Sequence, residues 1–481
     1  MKQKTLRGKV LIRPSVFIYT IVLTALCFTL FLGGAQASGW TLRSVSILIL
    51  AIGVLGFFLL ASIFDESVWS LPFLLFLIIF LYHAGLYIYP AVTGEPTPLV
   101  SLPGREWFSP ALASRAGYLV SLGLVAYLIG CMLPKLKIRQ QDPSEYKERD
   151  TDAAFNEAIG TIGGATTVIS VLVWFWSSAS IAGPLFFLGD YGTFLIRTAD
   201  AGLGMTYLGI ALGTAMIAQN HHGIMARLGL GAFVLFAVLG LPLGLRGEVM
   251  IPLVAGLVVY ARTHRMPSVK FFVLGLTGVF FLFTGVKSLR QTGIIGLAES
   301  SDDGPAGNFF YAIEEMGATV RVLFTSMQWH EGLSEPFEGG ATYLVPIQRI
   351  FQRVLWLERI PGDQDYGLMN VEVADRVGQI GGSMLGEAHH NFGAIGIMFV
   401  LFIVGFTAAL FQTRKATPLS LALTGLFAVL ALMHVRNSFA PIVSWVLIAG
   451  GLLITAFLYA RVLMRSRSAE TPSQVRDVPL K

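Results

Sequence analysis

The segment 381–399 carries the residues of this chain that are best suited to proton chemistry. Glu387, His389, His390 and Asn391 lie in its first part, and its second part is apolar and glycine-spaced, like a helix that enters lipid. A helix here places Glu387, His390 and Asn391 on one face, because they are three and four residues apart. Ionisable side chains at a membrane boundary are costly and usually functional. This segment is therefore the first candidate for a catalytic site.

A structural interpretation of the same residues also stands. His389 and His390 can be interfacial side chains with one hydrated end, and Asn391 can cap the helix that follows it. Gly393 and Gly396 are typical of close helix packing. None of these roles explains an acidic residue on the same face.

The composition indicates a membrane protein. Of the 481 residues, 54% are hydrophobic and only 13% are charged, whereas soluble proteins carry about 25% charged residues. Apolar runs long enough to cross a bilayer recur from end to end, which predicts an all-α, polytopic integral membrane protein. The net charge of +5 is better explained by basic cytoplasmic loops than by nucleic acid. Cys27 and Cys131 lie in apolar runs, so we expect neither a disulfide nor a metal site.

About twelve apolar runs can span the membrane, in a single membrane domain over residues 1–481. The predicted spans are 14–33, 44–63, 68–89, 111–133, 157–181, 203–219, 228–245, 248–261, 268–287, 388–411, 417–434 and 441–460. The loops rich in Lys and Arg fall on one side of this count, which places both termini in the cytoplasm. The basic N-terminus followed by Ala35, Gln36 and Ala37 is also compatible with a cleaved signal peptide, but its apolar run is longer than most, so an uncleaved helix is favoured.

A long segment, 288–386, then lies on the outer face between spans 9 and 10. Connections of this length are usually functional or disordered, and the aromatic residues and periodic stretches here predict a folded, partly helical loop. Its acidic residues, including Glu331, Glu335 and Glu372, are interpreted mostly as solvated surface charges. Asp363-Gln364-Asp365 has the spacing of the DxD motif of metal-using glycosyltransferases, but it lies in a turn flanked by Pro and Gly, so we expect no metal there.

The basic residues differ between the two sides. Every lysine except Lys287 is cytoplasmic on this topology, and the other basic residues outside are arginines: Arg43, Arg105, Arg197, Arg246, Arg290, Arg321, Arg349, Arg353, Arg359, Arg376 and Arg436. A guanidinium binds phosphate through two parallel hydrogen bonds, which an ammonium cannot do. Arg246, Arg290 and Arg436 stand where spans meet the outer surface and are candidate ligands of a lipid diphosphate. The alternative is local ion pairing, for example between Arg246 and Glu248.

These residue types suit transfer of a sugar from a lipid diphosphate. The acceptor hydroxyl must lose a proton, and histidine is the usual base near neutral pH. The leaving diphosphate needs fixed cationic donors, which the arginines supply. No nucleotide-binding loop is visible on the cytoplasmic side, so we expect neither a nucleotide donor nor a cofactor.

Two motifs resemble those of a known family. The stretch 387–396 resembles the His-Asn motif that opens a helix after the large outer loop in the O-antigen polymerase and ligase superfamily, and 244–248 is similar to the Arg-Gly turn of Wzy-type polymerases. The layout of about twelve spans, cytoplasmic ends and one late outer loop agrees with this resemblance.

The resemblance implies a GT-C-like glycosyltransferase of the bacterial cytoplasmic membrane that joins undecaprenyl-diphosphate-linked oligosaccharides on its outer face. His390, or its neighbour His389, would then be the base or position the acceptor. Asn391 would support that histidine, and Arg246 would contact diphosphate. Glu387 is a catalytic candidate because it lies on the same helix face as His390. Arg290 and Arg436 are candidates by position alone. A chain-length regulator and a flippase are the implied partners besides membrane lipid, and no nucleic acid is expected.

Two other functions stay open at the level of sequence. A ligase that moves a finished glycan to another acceptor differs only in that acceptor. A flippase for lipid-linked oligosaccharides also commonly has about twelve spans, but transporters place their sites near the membrane midplane. The chain shows no inverted repeat and few charges inside its spans, which favours the polymerase.

Overall fold

The computed structural model describes residues 10–33, 39–97, 107–139, 150–198, 201–296, 309–355, 365–378 and 380–470. Within them the helices are α1 (Pro14–Gly33), α2 (Leu42–Ile63), α3 (Leu71–Thr93), α4 (Pro110–Met132), α5 (Asp150–Ala182), α6 (Tyr191–Thr198), α7 (Gly204–Gln219), α8 (Ile224–Leu243), α9 (Arg246–Ala261), α10 (Val269–Gly296), α11 (Phe309–Gly317), α12 (Arg321–Met327), α13 (Ala341–Val354), α14 (Met369–Val377), α15 (Met384–Thr413), α16 (Pro418–Val435) and α17 (Phe439–Glu470). Two three-residue strands, β1 (Val10–Ile12) and β2 (Lys137–Arg139), pair antiparallel with Leu11 opposite Ile138. The predicted all-α class is confirmed.

Each of the twelve predicted spans coincides with a helix. Among the described residues, nine helices are long and apolar enough to cross a membrane: α1 to α5, α8 and α15 to α17. Of the other three predicted spans, α7 and α9 have 16 residues each, and α10 has 28 residues, of which Val269–Phe283 is the apolar stretch whose side chains the structure describes. The protein is a multi-pass membrane protein.

The segment predicted as a long outer loop is partly helical, as expected. It contains α11 to α14, a 3₁₀ turn at Ala318–Val320 and a π-helical turn at Gln328–Gly332. Trp329 of the π turn packs on Val322 of α12 and on Met369 and Val373 of α14. Its aromatic side chain therefore helps to join α12 and α14 into one folded layer.

The described chain groups into two compact units. The first comprises Met1–Gln141, His264–Arg414 and Phe427–Val446, and the second comprises Asp142–Thr263, Lys415–Leu426 and Leu447–Lys481. The single membrane domain expected over 1–481 stays a prediction. All of the histidine chemistry described below belongs to the first unit.

Glycines fix α15 against α4 in the first unit. A side chain on Gly130 would meet the carbonyl oxygen of Phe402 at 2.2 Å, and one on Gly405 would meet that of Tyr127 at the same distance. The Cys131 thiol also donates to the carbonyl of Gly405 at 3.4 Å. The two backbones lie in direct contact, as small residues allow in membrane helices, and this contact holds α15 in place along the bundle.

Candidate functional site

The helix that carries the sequence motif is interrupted. Phe392 (φ −141°, ψ 15°) and Gly393 (φ 61°, ψ −144°) leave the helical region inside α15, and the conformation of Gly393 is one that essentially only glycine adopts. Residues 384–391 thus form a short helix of their own, here named the site helix. The packing role offered for Gly393 is replaced by this break, whereas Gly396 does pack closely, since its Cβ would lie 2.1 Å from the Ala388 carbonyl.

Both ends of the site helix are capped. The Ser383 hydroxyl accepts a hydrogen bond from the Gly386 amide at 3.1 Å. At the other end, the break frees two carbonyls, and those of His390 and Asn391 accept from the amides of Glu338 and Gly339 at 3.1 and 3.0 Å. Buried backbone groups need such partners. The loop before α13 therefore holds the site helix in place.

His390 is buried between two helices of the preceding segment. Its Nδ1 lies 2.9 Å from Nε2 of His330, and its Nε2 lies 3.2 Å from a carboxylate oxygen of Glu372 on α14. The Trp329 ring meets the imidazole edge-on at 5.6 Å between centroids. Each ring nitrogen of His390 thus lies within 3.2 Å of a titratable side chain.

The hydrogen bonds fix the protons along this chain. His330 Nδ1 lies 3.0 Å from the Glu335 carbonyl oxygen, which can only accept, so that nitrogen is the donor. In a neutral His330 the Nε2 atom must then accept from His390 Nδ1. His390 Nε2 consequently faces Glu372 either as a second N–H or as a lone pair against a carboxylate. Only a proton between His390 and Glu372 makes that contact attractive.

Arg376 keeps Glu372 in its charged form. Its guanidinium donates to Glu372 at 2.7 Å and to both oxygens of Glu335 at 2.9 and 2.5 Å, and it stacks over Trp329 at 4.1 Å. Burial raises the pKa of Glu372, but the hydrogen bond from Arg376 and the nearby imidazole of His390 together outweigh burial and lower that pKa overall. Glu372 is therefore held as a carboxylate beside the imidazole of His390.

His389 points to a different set of partners. Its Nδ1 lies 2.8 Å from the Ser326 hydroxyl, and its Nε2 lies 3.9 Å from a carboxylate oxygen of Glu331. Glu331 also forms an ion pair with Arg115 of α4, and these two side chains are 30% and 49% exposed. Burial raises the pKa of Glu331, and the opposing effects of Arg115 and His330 are smaller. We use the name histidine cluster for five residues: His330, His389, His390, Glu331 and Glu372. The pair of Glu331 with Arg115 forms the exposed edge of this cluster.

Glu387 does not contact either histidine of the motif in any described hydrogen bond. It is fully buried, and its carboxylate accepts from the Thr342 hydroxyl at 2.9 Å and from the Phe439 amide, the first of α17, at 2.5 Å. Asn391 donates to Thr342 at 2.7 Å and to the Glu387 carbonyl at 2.8 Å. These two residues tie α13, α15 and α17 together, so Asn391 does not cap a following helix. Helical spacing alone suggested a joint site with His390, but the partners lie on different elements.

The candidate diphosphate ligands fall in different places. Arg436 is exposed in the turn between α16 and α17, and its carbonyl accepts from the Gly382 amide at 3.2 Å, immediately before the site helix. Arg246 opens α9 in the second unit, after a turn in which Gly244 has φ 99°. Arg290 is on α10, and its side chain lies outside what the structure describes.

The DxD-like turn is only partly described. Asp363 and Gln364 lie outside the described residues, and Asp365 accepts two hydrogen bonds from Arg349 at 2.6 and 2.9 Å. Within the described part of the chain, no group of three or more His, Cys, Asp or Glu side chains could hold a metal ion.

Sequence reasoning missed most of the partners in the histidine cluster. The acids Glu331, Glu335 and Glu372 were interpreted as solvated, yet each contacts a histidine or an arginine of the site. Arg115, five residues after the start of α4, was not assigned any role. A charge inside a predicted span was the available signal for Arg115, since such residues are costly in lipid. His330 had no local signal at all.

Fold and site together define a multi-pass, all-α membrane protein with a buried histidine–carboxylate cluster. The family model of the O-antigen polysaccharide polymerase Wzy matches residues 16–467, nearly the whole chain, and the protein belongs to that family. Its members polymerise O-antigen, which agrees with the resemblance found in the motifs. Searches of the curated proteins and of the solved structures returned no match.

Proposed function

We propose that this protein polymerises undecaprenyl-diphosphate-linked oligosaccharide repeat units on the outer face of the cytoplasmic membrane. The family supports the polymerase role, and the lipid carrier and the side of the membrane are our inference. The observation that carries the chemistry is the exposed edge of the histidine cluster, where Glu331 contacts both Arg115 and the buried His389. A base and a cation stand side by side there, as the reaction requires.

In this reaction an acceptor hydroxyl of one lipid-linked repeat unit attacks the anomeric carbon of the growing glycan. The new glycosidic C–O bond forms as the anomeric C–O bond to diphosphate breaks, and undecaprenyl diphosphate leaves with the electron pair. The hydroxyl proton passes to Glu331, whose raised pKa suits a base, and His389 behind it supports the transfer. No metal or nucleotide takes part in this scheme.

The arginines bind the anionic partners. Arg115 is half exposed beside Glu331 and can reach a phosphate through its planar fork. Arg436 stands at the start of the site helix and is assigned the same task, and Arg246 and Arg290 remain proposed ligands from their motif or position. We assign His390, buried with its Nε2 atom 3.2 Å from Glu372, to positioning the site helix behind the reacting groups.

The test is reconstitution of the purified protein with a synthetic undecaprenyl-diphosphate-linked repeat unit, without ATP and with a chelator present. We expect a ladder of glycans from the wild type, no ladder from His389→Ala or His390→Ala, and a normal ladder from His222→Ala, an exposed histidine of the second unit. Transfer of one glycan block to a different acceptor without any ladder would indicate a ligase. Movement of the unit across vesicles without new bonds would indicate a flippase.

A further inference from the structure

Helix α13 presents an apolar face that the described protein does not cover. Five large apolar side chains in and just after it are 39–66% exposed: Leu344, Ile347, Phe351, Val354 and Leu355. Their successive spacings of three, four, three and one residues confine them to a stripe about 100° wide on one side of the helix. Exposed apolar stripes of this kind mark an interaction surface.

The opposite side of α13 rests on the protein. Thr342 and Pro346 are buried, and the Thr342 hydroxyl donates to Glu387 while it accepts from Asn391. On the flank, the Arg349 guanidinium donates to Asp365 and to Gln352. The helix is thus anchored by its polar contacts, and its stripe faces outward because of them.

The stripe begins where α15 becomes exposed to lipid. At and beyond the break in α15, Phe392, Ile395 and Phe399 are exposed on a helix that is itself apolar enough to span the membrane. Gly340, the residue before α13, lies so close to Phe392 that a Cβ on it would meet the Phe392 ring at 2.9 Å. The amide of Gly339 donates a hydrogen bond to the carbonyl of Asn391. The outward face of α13 is therefore continuous with the exposed apolar surface of a candidate membrane-spanning helix.

We propose that α13 is an interfacial helix that lies on the bilayer, with its apolar stripe inserted among the lipid acyl chains at the headgroup boundary. Its 14 residues are about 21 Å long, too short to span a hydrocarbon core of about 30 Å. The strong segregation of apolar and polar sides is typical of helices that lie in the interface plane. Arg353, near the C-terminal end of α13, is exposed on the side away from the stripe. This proposal does not depend on which glycan reaction the protein performs.

Site-directed spin labelling tests the placement of α13. Single cysteines replace Leu344, Phe351 or Arg353 in the full chain, whose native Cys27 and Cys131 are buried, and each protein is labelled and reconstituted in vesicles of phosphatidylethanolamine and phosphatidylglycerol. Molecular oxygen concentrates in lipid and a nickel chelate in water. We expect the ratio of oxygen to nickel accessibility to be higher at 344 and 351 than at 353, and close to that of a label at Ile395 on α15.

Two results would overturn the proposal. Equal, nickel-dominated accessibility at 344, 351 and 353 would place the stripe in water. Dipolar broadening between labels at Phe351, lost on dilution with unlabelled protein, would show that a second copy of the chain covers the stripe instead of lipid. Because Leu344→Cys and Phe351→Cys are independent variants, failure of one of them to fold leaves the other to decide.

Discussion

His330 and His390 share a hydrogen bond of 2.9 Å between Nε2 of the first ring and Nδ1 of the second, although 60 residues separate them in the chain. The Glu335 carbonyl fixes the proton on the far side of His330, so this bond sets which nitrogen of His390 faces Glu372. His330 is for this reason a positioning residue for the cluster.

Replacing His330 tests that role. In His330→Ala the Nδ1 proton of His390 loses its acceptor, and the His390 ring loses the hydrogen bond that directs its Nε2 atom toward Glu372. We expect kcat for polymerisation to fall by roughly 10²-fold, at the low end of the range for acid–base groups, with the pH–rate profile displaced. His222→Ala is the matched control, and an unchanged pH profile in His330→Ala would show that the bond has only a structural role.

We expect protonation of Glu331 to cause the fall in reaction rate at low pH, the acid limb of the pH–rate profile. Burial raises the pKa of this carboxyl above its ordinary 4.5, so a reaction that needs the carboxylate slows as the pH falls through that raised pKa. In Glu331→Gln we expect the rate to fall by about 10²–10⁴-fold, as for loss of a general base, and the acid limb to vanish. Glu338→Gln, the same change at an exposed position of the same segment, should leave the rate and the acid limb unchanged. An acid limb that survives in Glu331→Gln would show that another residue is the base.

Arg115 should act on substrate binding. Its guanidinium is half exposed and its partner Glu331 neutralises part of its charge, so its removal weakens contact with a diphosphate at the exposed edge. For Arg115→Gln we expect KM for the lipid-linked unit to rise by about tenfold, the effect of a charge-assisted hydrogen bond worth roughly 1.5 kcal/mol. Arg43→Gln, an exposed arginine on α2, is the comparison. A fall in kcat at constant KM would instead make Arg115 a partner of the base alone.

Arg376 should make stability depend on pH. The hydrogen bond from Arg376 is the main cause that lowers the pKa of Glu335. For Glu372, burial raises the pKa, but His390 and Arg376 lower it by more, so its pKa is lowered overall. A carboxyl with a lowered folded pKa contributes stability that is fully present above its unfolded value, here 4.5, and that is lost as the pH falls through the folded value.

We accordingly expect the Tm in detergent to be level above pH ~5 and to drop below it in the wild type. In Arg376→Gln the Tm is lower near neutral pH and its drop on acidification is smaller. Arg353→Gln keeps the wild-type profile because Arg353 lies outside this network. An equally steep acid drop in Arg376→Gln would mean that other carboxyls cause it.

Gly393 should resist substitution. Any side chain there must adopt φ 61°, ψ −144°, which costs about 1–3 kcal/mol, and its Cβ would also lie 3.0 Å from the Phe337 ring. Gly393→Ala is expected to lower the Tm and to disorder the site helix. Gly231→Ala on α8, where a Cβ meets nothing within 4 Å, should be neutral or stabilising, since alanine favours helix by up to about 1 kcal/mol. Equal Tm values for the two variants would contradict a strained break.

Apolar runs were sufficient to predict the twelve helices that coincide with the expected spans, because a bilayer demands a continuous hydrophobic length. The polar groups at His389 and His390 lie in the segment that forms the site helix, and their catalytic role stays a prediction. Its partners were not predictable, since His330 and Glu372 reach His390 only through the packing of α12 and α14 on Trp329. The helical period grouped Glu387 with His390. This rule predicts which side chains share a face of a helix, but it does not predict which neighbouring element each side chain contacts.

The break at Phe392 and Gly393 also decides where a helix dipole ends. A continuous α15 would carry its negative end to Thr413, far from the histidines. Because the site helix stops at Asn391, the partial negative charge of its C-terminus lies within one residue of His390. Helix C-termini favour positive charge by roughly 0.3–1 kcal/mol, so the interruption itself brings a favourable position for a cation into the interior of the histidine cluster.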